Sequence, residues 1–327
     1  MARTVEEVIE PGILICDSHH HLWDLPGSRY LVDEFLQEIS GGHQVVETVY
    51  VECLQNYRKQ GPEILGPVGE TEFVDNLVVS HDNESVDMAA GIIGFADLTL
   101  GKAVRPVLEA HLTASSRFRG VRHASAWDAS DQVHNSHTRP GRDLLRSREF
   151  REGFACLDAL GLSFDAWLYH PQLPDLIDLA RAFPETTIIL DHIGGPLGIG
   201  PYAGRQVEVF ESWQRDMVDL AGCANVNIKL GGLSLTGNGF GLHKRDVPVA
   251  SMELADLLAP YYRFCIDIFG SSRCMFESNY PVDSSSCSYT VLWNAFKRIS
   301  RDYPDTDRSA LFHDTAARVY RLNMAWK

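Results

Sequence analysis

Histidines follow three of the short apolar runs in this sequence of 327 residues. His19, His20 and His21 come directly after the first run. Because side chains alternate along an extended chain, His19 and His21 point the same way and His20 points away. Two converging imidazoles bind a divalent metal ion or hold a polar substrate. His170 and His192 follow two later runs, so strands that end at one common rim would bring these rings together.

Basic side chains lie at the end of one apolar run and inside another. Arg119, Arg122 and His123 end the fourth run, with Arg119 and Arg122 on opposite faces if the chain stays extended. Lys229 lies inside an apolar run. A buried lysine without a partner is costly, so it either meets a carboxylate or points into a site. For the two arginines and the lysine, contact with a substrate carboxylate and structural pairing both remain open, and Glu52 is a candidate partner.

Eight apolar runs alternate with helix-like stretches along the chain. The predicted strands are residues 13–16, 45–53, 90–96, 118–121, 162–168, 187–190, 226–230 and 274–276. The predicted helices, with apolar residues at three- and four-residue spacing, are residues 73–80, 103–114, 148–160, 173–183, 207–220, 252–269, 289–301 and 308–321. This alternation predicts an α/β protein with a (β/α)8 TIM barrel, and a doubly wound open sheet is the alternative. The phosphate-binding patterns GxGxxG and GxxxxGK[ST] do not occur, which disfavours nucleotide-binding open sheets.

No low-complexity linker divides the sequence, so we expect residues 1–327 to form a single domain. The longest irregular stretch, residues 124–147, follows the fourth predicted strand. It is either a lid or substrate loop, or a surface insertion. Trp23 and Tyr169 lie beside the histidines in the sequence and are candidates for the apolar walls of a pocket or for simple core packing.

The composition excludes several classes of protein. Apolar residues make up 45% of the chain, too many for an intrinsically disordered protein. The 29 basic and 44 acidic residues give a formal net charge of −15, which disfavours nucleic acids and anionic membrane surfaces as partners. Seven cysteines without a CxxC pair are expected to be free thiols. The sequence has no signal peptide and no apolar run of the roughly 18–20 residues that a membrane helix needs, which predicts a cytoplasmic protein.

Five segments taken together resemble the amidohydrolase superfamily. In chain order they are DSHHHLWD, FRGVRH, ILDHIGGP, VNIKLGG and CMFESNYPVD. The resemblance covers roughly residues 13–322 and is closest to the branch of TIM-barrel hydrolases that includes sugar-lactone and pyrone-dicarboxylate lactonases. It implies a barrel in which side chains at the strand ends surround zero, one or two metal ions.

The resemblance also implies the metal ligands. His19 and His21 match the HxH of the first strand, and His170 and His192 match the positions after the fifth and sixth strands. These four histidines are the predicted ligands of a divalent metal ion, with zinc as the expected ion. The alternative is a metal-free site, in which the histidines donate hydrogen bonds to the substrate and a carboxylate activates water.

The segment after the eighth predicted strand departs from the superfamily pattern. The superfamily usually has Ser-Asp-Trp-Pro or Thr-Asp-Trp-Pro there, whereas residues 278–281 of this chain read SNYP. Asn279 thus occupies the place of the aspartate that acts as general base and metal ligand, and an amide cannot accept a proton at neutral pH. Glu277 and Asp283 are the carboxylates that can substitute. Glu277 shares the face of Asn279 in an extended chain, whereas Asp283 requires the loop to fold back.

The resemblance and these residues predict an enzyme that hydrolyses a lactone or related cyclic ester of a small carboxylic acid. The catalytic candidates are Asn279, Asp283 and Glu277, and the substrate-binding candidates are Arg122, Arg119, Lys229, His123, Trp23 and Tyr169. The expected partner is a small, carboxylate-bearing lactone, and the chain acts on it as a monomer or as a homo-oligomer. Two alternatives remain: a metal-dependent, non-oxidative decarboxylase of an aromatic or unsaturated acid, and a ligand-binding protein on a degenerate enzyme scaffold.

Overall fold

Eight parallel strands form one sheet in which each strand pairs with the next one along the chain. The computed structural model describes residues 4–81 and 85–322. The strands are β1 (Leu14–His20), β2 (Gln44–Val51), β3 (Asp87–Gly94), β4 (Phe118–Arg122), β5 (Ser163–Ala166), β6 (Ile188–Leu190), β7 (Val226–Leu230) and β8 (Cys274–Phe276). Each of them overlaps one of the predicted strands.

A helix follows each strand. The helices are α1 (Val32–Ile39), α2 (Val68–Ser80), α3 (Arg105–Ala114), α4 (Arg148–Asp158), α5 (Leu173–Ala182), α6 (Gln206–Ala221), α7 (Ser251–Phe269) and α8 (Tyr289–Ser300). A last helical segment covers residues 305–319, and a short hairpin of Trp23–Leu25 and Ser28–Tyr30 lies between β1 and α1. The predicted helices do not include α1, although its buried residues Val32, Phe35 and Ile39 have helical spacing.

Hydrogen bonds between β1 and the residues after β8 close the sheet into a barrel. His20 forms a parallel bridge with Tyr280. The amide of Asn279 donates to the carbonyl of His19 at 2.9 Å, and the amide of His21 donates to the carbonyl of Tyr280 at 2.8 Å. The fold is therefore the predicted (β/α)8 barrel, and the open doubly wound sheet is excluded. Because the strands are parallel, their C-terminal ends share one rim, and the closure places the segment after β8 beside the histidines of β1.

The interior of the barrel contains an apolar cluster that the end of the chain completes. Its members come from β1, β2, β3, β6 and β8 and from the residues after 315, and they are Cys16, Val49, Val51, Ala90, Ile93, Ile189, Met275, Ala316, Ala317, Val319, Tyr320 and Leu322. The hydroxyl of Tyr320 donates to the carboxylate of Asp165 in β5 at 2.7 Å. This hydrogen bond marks the boundary between the apolar cluster and the polar side chains nearer the C-terminal rim.

The cysteines agree with the expectation from their spacing. All seven are free, and five of them are buried. A buried thiol packs as a small apolar side chain. No helix in the part of the chain that the structure describes is long and apolar enough to cross a membrane.

Gly153 allows α4 to pack closely against the segment that follows β3. A Cβ at this position would overlap the carbonyl oxygen of Leu98 and lie 2.9 Å from its carbonyl carbon. Because that neighbour is backbone and cannot rotate away, we expect Gly153→Ala to lower the free energy of unfolding by about 1–3 kcal/mol. Urea denaturation measures this loss. Gly141→Ala is the control, since a Cβ there meets nothing within 4 Å, and an equal loss in both variants contradicts the packing argument.

Candidate active site

β1 presents two histidines at the C-terminal rim. The Nε2 atoms of His19 and His21 face each other at 3.2 Å. Nδ1 of His21 lies 2.8 Å from the carbonyl oxygen of Val51, and because a carbonyl only accepts, this nitrogen carries the proton. Nε2 of the neutral His21 ring therefore presents a lone pair to His19. His20 points away, as the alternation predicts, and its ring stacks on Phe35 of α1.

Glu277, directly after β8, connects the histidines of β1 and β6. Its two carboxylate oxygens lie 2.8 Å from Nδ1 of His19 and 2.6 Å from Nδ1 of His192. It also accepts a hydrogen bond from the backbone amide of His192 at 3.2 Å. His19, His192 and Glu277 are all buried and offer ligand atoms within 4.8 Å of one another. The structure thus brings together three of the four predicted histidines and one of the predicted carboxylates.

Burial and pairing determine the charges in this group. Burial acts to raise the pKa of Glu277, but His192 and His19 outweigh it and lower this pKa to about 2. Burial acts to lower the pKa of His192, but the carboxylate of Glu277 outweighs it and raises this pKa. The pKa values of His19 and His21 are lowered by burial. Glu277 is therefore an anion that orients two rings, and it is too weak a base to accept a proton near neutral pH.

Unusual backbone conformations and two glycines make room for these side chains. His192 and Asn279 have φ angles of +52° and +53°, a left-handed conformation that costs such residues roughly 1–3 kcal/mol and occurs most often at functional sites. A Cβ on Gly231 would overlap Cγ of Glu277, and a Cβ on Gly232 would lie 2.6 Å from Cβ of His192. The two glycines after β7 therefore allow Glu277 and His192 to approach each other.

Lys229 of β7 lies between two carboxylates inside the barrel. Its Nζ is 2.6 Å from Asp165 of β5 and 3.0 Å from Asp191, which follows β6. Burial acts to lower the pKa of Lys229, but these carboxylates outweigh it and raise this pKa, so the ammonium stays charged. The same Nζ lies 3.2 Å from Nδ1 of His19. The lysine thus has the carboxylate partners that its burial requires and also borders the site.

Arg122, the last residue of β4, is paired in the same way. Its Nε donates to the carboxylate of Glu52 at 2.8 Å, which confirms the partner expected from the second strand. Its Nη1 lies 3.5 Å from Asp191. Burial acts to raise the pKa of Glu52, but Arg122 outweighs it and lowers this pKa. Four carboxylates around this centre therefore face one arginine and one lysine: Glu52, Asp165, Asp191 and Glu277 against Arg122 and Lys229.

The chain folds back after β8 and brings Asp283 to Asn279. Within the turn Val282–Ser285, the amide of Asp283 donates to the carbonyl of Asn279 at 3.2 Å. Nδ2 of Asn279 donates to Oδ1 of Asp283 at 3.4 Å. Burial raises the pKa of Asp283 to about 7, although the nearby charge of His192 acts against it. A carboxyl group with such a pKa is suited to accept and return a proton near neutral pH.

His170 is not part of the group formed by His19, His192 and Glu277. β5 ends at Ala166, and His170 begins the short helical turn His170–Gln172. There Nδ1 of His170 accepts a hydrogen bond from the amide of Leu197 at 3.2 Å, and the ring contacts Tyr202. From β5 it is Asp165, inside the strand, that reaches the buried centre.

Arg119 and His123 are also engaged by local contacts. Arg119 donates to the carbonyl oxygens of Ser116 and Phe118 at 2.6 and 3.2 Å, toward the beginning of β4. Nδ1 of His123 accepts from the amide of Leu98 at 3.2 Å, and burial lowers the pKa of this histidine to about 4. Both side chains bind neighbouring backbone groups. The alternation of side chains along a strand does not predict these contacts.

Aromatic rings and a long loop surround the histidines. Trp23 lies in the hairpin after β1, with its ring 6.3 Å from that of His21. Trp167 meets the ring of His192 edge-on at 4.9 Å. Tyr169 donates its hydroxyl proton to the carbonyl of His134 at 2.5 Å. Through this contact the loop of residues 124–147 reaches the rim, as expected for a substrate loop.

The predicted site does not include Asp165, Asp191 or Trp167. Asp165 is a charged residue inside an apolar strand, and Asp191 directly precedes His192. An ionised side chain in a buried strand needs a partner, which is the signal that identified Lys229. The same reasoning applied to Asp165 would have found it.

The donors at this rim fit a divalent metal ion. The Nε2 atoms of His19 and His21 are 3.2 Å apart, and one proton or one cation can lie between them. Nδ1 of His21 also contacts a backbone carbonyl. Histidines that bind a metal ion usually make such a contact with their other ring nitrogen. His192 and Glu277 add further imidazole and carboxylate atoms within 4.8 Å of His19, and zinc accepts both types of ligand. The excess of carboxylates over cations also favours a positive ion.

Known sequences and structures match nearly the whole chain. The sequence model of the family described as Amidohydrolase matches residues 16–322. The uncharacterized protein y4mH of Sinorhizobium fredii is 32% identical, over 95% of this chain and 99% of that protein. An L-fucono-1,5-lactonase of Burkholderia multivorans is 27% identical, over 95% of this chain and 97% of that protein. The crystal structure of an amidohydrolase from Burkholderia multivorans with bound zinc has a TM-score of 0.72 and 23% identity, and covers 95% of this chain and 100% of that one.

Gly231 provides a direct test of the close approach at this site. Because a Cβ there would overlap Glu277, we expect Gly231→Ala to displace this carboxylate from His19 and His192 and to lower kcat/KM by about 100-fold or more. Steady-state kinetics measures the loss, and circular dichroism checks that the variant is folded. Gly12→Ala is the control, since a Cβ there meets nothing within 4 Å. Full activity in Gly231→Ala contradicts the assigned role of Glu277.

Asp283 makes the stability of the metal-free protein depend on pH. Its pKa is about 7 in the folded protein and about 3.9 in an unfolded chain, so the folded state binds the proton more tightly. The stabilisation is complete below about pH 4 and is lost as pH rises through about 7. We expect chelator-treated protein to lose roughly 2–3 kcal/mol from this group between pH 5 and pH 8, measured by urea denaturation.

The matching variant is Asp283→Asn, in which this part of the pH dependence disappears. Asp131→Asn changes an exposed aspartate and keeps the wild-type slope. An unchanged slope in Asp283→Asn would show that another group is responsible.

Proposed function

Since the chain belongs to the amidohydrolase family, we propose that it is a hydrolase that opens a lactone or a related cyclic ester with an activated water molecule. The observation that carries this proposal is the arrangement of His19 and His192 around the ionised Glu277, with Asp283 close by and able to exchange a proton near neutral pH. The names of the curated relatives support the lactone as the substrate class, because two of them are L-fucono-1,5-lactonases at 27% and 28% identity.

A divalent metal ion fits this proposal, and zinc is the ion bound in a structure with the same fold. Nε2 of His19 and Nε2 of His21 would hold it, with His192 completing the set. When bound, such an ion polarises a carbonyl group and lowers the pKa of a water molecule. Glu277 orients the rings of His19 and His192 through their Nδ1 atoms, so that their Nε2 atoms stay available.

Asp283 is the group that moves the proton. Its carboxylate accepts a proton from water as the water oxygen attacks the carbonyl carbon of the ring. When the bond between this carbon and the ring oxygen breaks, the same carboxyl group returns the proton to the leaving alkoxide, and the product is a hydroxy acid. Asn279 cannot exchange a proton, but its amide holds Oδ1 of Asp283 at 3.4 Å. In this scheme the carboxylate that the superfamily carries at the position of Asn279 is supplied four residues later.

Variants of the histidines test the proposal. We expect His19→Ala and His192→Ala to lower the rate of lactone ring opening at least 1,000-fold, because each removes a ring that Glu277 orients. A pH indicator follows the acid that ring opening releases. His170→Ala is the matched control, since His170 is a buried histidine outside the site, and it keeps activity within a few-fold of wild type.

Three results would contradict the proposal. If His19→Ala, His192→Ala and His170→Ala are equally active, the assignment of His19 and His192 to the active site is wrong. Release of carbon dioxide from an aromatic or unsaturated acid, without ring opening of any lactone, identifies a decarboxylase instead. Ligand binding without turnover of either substrate class identifies a binding protein. Elemental analysis of untagged protein, together with activity after chelation, tests the metal separately.

A further inference from the structure

A small cavity opens beside His192 at the rim of the barrel. Its volume is about 210 Å³. A cavity of roughly 150 Å³ can hold benzene, so this cavity has room for a substituent up to the size of a small ring. Its walls come from the loop after β4 and from the segments after β5, β6 and β7.

Trp167 connects this cavity with the histidines. It lines the cavity and meets the ring of His192 at 4.9 Å. A Cβ on Gly195 would lie 3.1 Å from the indole, so the glycine allows the ring to take this position. Tyr169, another wall residue, is tied to the carbonyl of His134 in the loop of residues 124–147. The cavity therefore borders the site through the side chain of Trp167, which contacts both.

The cavity walls are largely apolar, and their polar residues are His134, Ser136, Thr236 and Asn238. Leu197, Ile199 and Leu235 add apolar surface to the two aromatic rings, and Thr236 lies at the exposed edge. Among the described residues that line the cavity, none is lysine or arginine. A carboxylate placed here would lose hydration without gaining a lysine or arginine partner, which is costly.

The two cations nearest the histidines are not available to a charged substrate. Arg122 is held by Glu52 and Asp191, and Lys229 by Asp165 and Asp191. Each cation is thus neutralised by carboxylates of the protein itself. An additional carboxylate from a substrate would have to displace one of these buried pairs.

From the shape and chemistry of the cavity we infer that it receives an uncharged, partly apolar substituent of the lactone ring, and that the preferred substrate carries no free carboxylate. The inference rests on the proposed function, and it replaces the carboxylate-bearing lactone expected from the basic residues in the sequence. In the folded barrel, Arg122 pairs with Glu52 and Asp191, and Lys229 pairs with Asp165 and Asp191.

A pair of matched δ-lactones tests the inference. One carries a methyl or hydroxymethyl substituent on the ring, and the other carries a carboxylate at the same carbon. We expect the wild-type kcat/KM to be at least 10-fold higher for the uncharged lactone. Preference for the carboxylate-bearing lactone overturns the inference but leaves the proposed lactone hydrolysis intact.

Thr236 allows a charge to be added to the cavity without disturbing buried packing. In Thr236→Lys we expect the preference for the uncharged lactone to fall at least 10-fold, since the new ammonium can pair with the carboxylate. Thr236→Gln is the control of similar length without a charge, and its preference stays close to that of wild type. Equal preferences in Thr236→Lys and Thr236→Gln indicate that the substituent does not reach this cavity.

Binding of inert analogues separates the inference from the proposed function. The δ-lactams that correspond to the two lactones resist hydrolysis, and isothermal titration calorimetry measures their Kd values. Tighter binding of the uncharged lactam supports the inference even if no lactone is hydrolysed. In that case the proposed function is wrong, but the inference about the cavity stands. Tighter binding of the carboxylate-bearing lactam, or no binding of either lactam, overturns the inference.

Discussion

Lys229 holds a positive charge inside the barrel, with none of its side chain exposed to solvent. Such a charge persists only where opposite charges pair with it closely, and removing one partner of a buried pair typically costs about 3–5 kcal/mol. Asp165 and Asp191 are these partners, and they come from the two strands before β7. The pairing therefore ties the ends of three neighbouring strands together and also holds Lys229 next to His19.

The same pairing limits the chemistry of the rim. Arg122 and Lys229 are both engaged by carboxylates of the protein, and a charged substrate would compete with these buried pairs. The remaining tasks belong to the histidines, to Glu277 as the anion that orients them, and to Asp283 as the group with a pKa near 7. The two carboxylic acids thus differ, because contacts with His192 and His19 lower the pKa of Glu277, whereas burial raises the pKa of Asp283.

Much of the fold and part of the site could be predicted from local patterns. All eight strands lie where apolar runs occur, because a strand buried on both faces needs an uninterrupted apolar sequence. Alternation correctly separated His19 and His21 from His20, since side chains of an extended chain point to opposite faces. His170 does not join the other histidines, because β5 ends at Ala166, earlier than its apolar run, and the ring contacts the amide of Leu197 and the ring of Tyr202 instead.

The amino-acid sequence by itself determined the order of the strands and helices, the family resemblance and the identity of the histidines on β1, because periodicity and motifs are local properties of the chain. Only the tertiary structure decided which distant groups meet. Closure between β1 and the segment after β8 brought Glu277 to His19, and a turn brought Asp283 back to Asn279. Whether a buried cation serves a substrate or a carboxylate of the protein depends on loops and strand ends that are far apart in the sequence. For that reason the pairing of Lys229 with Asp165 and Asp191, and the largely apolar cavity next to Trp167, became apparent only in the folded barrel.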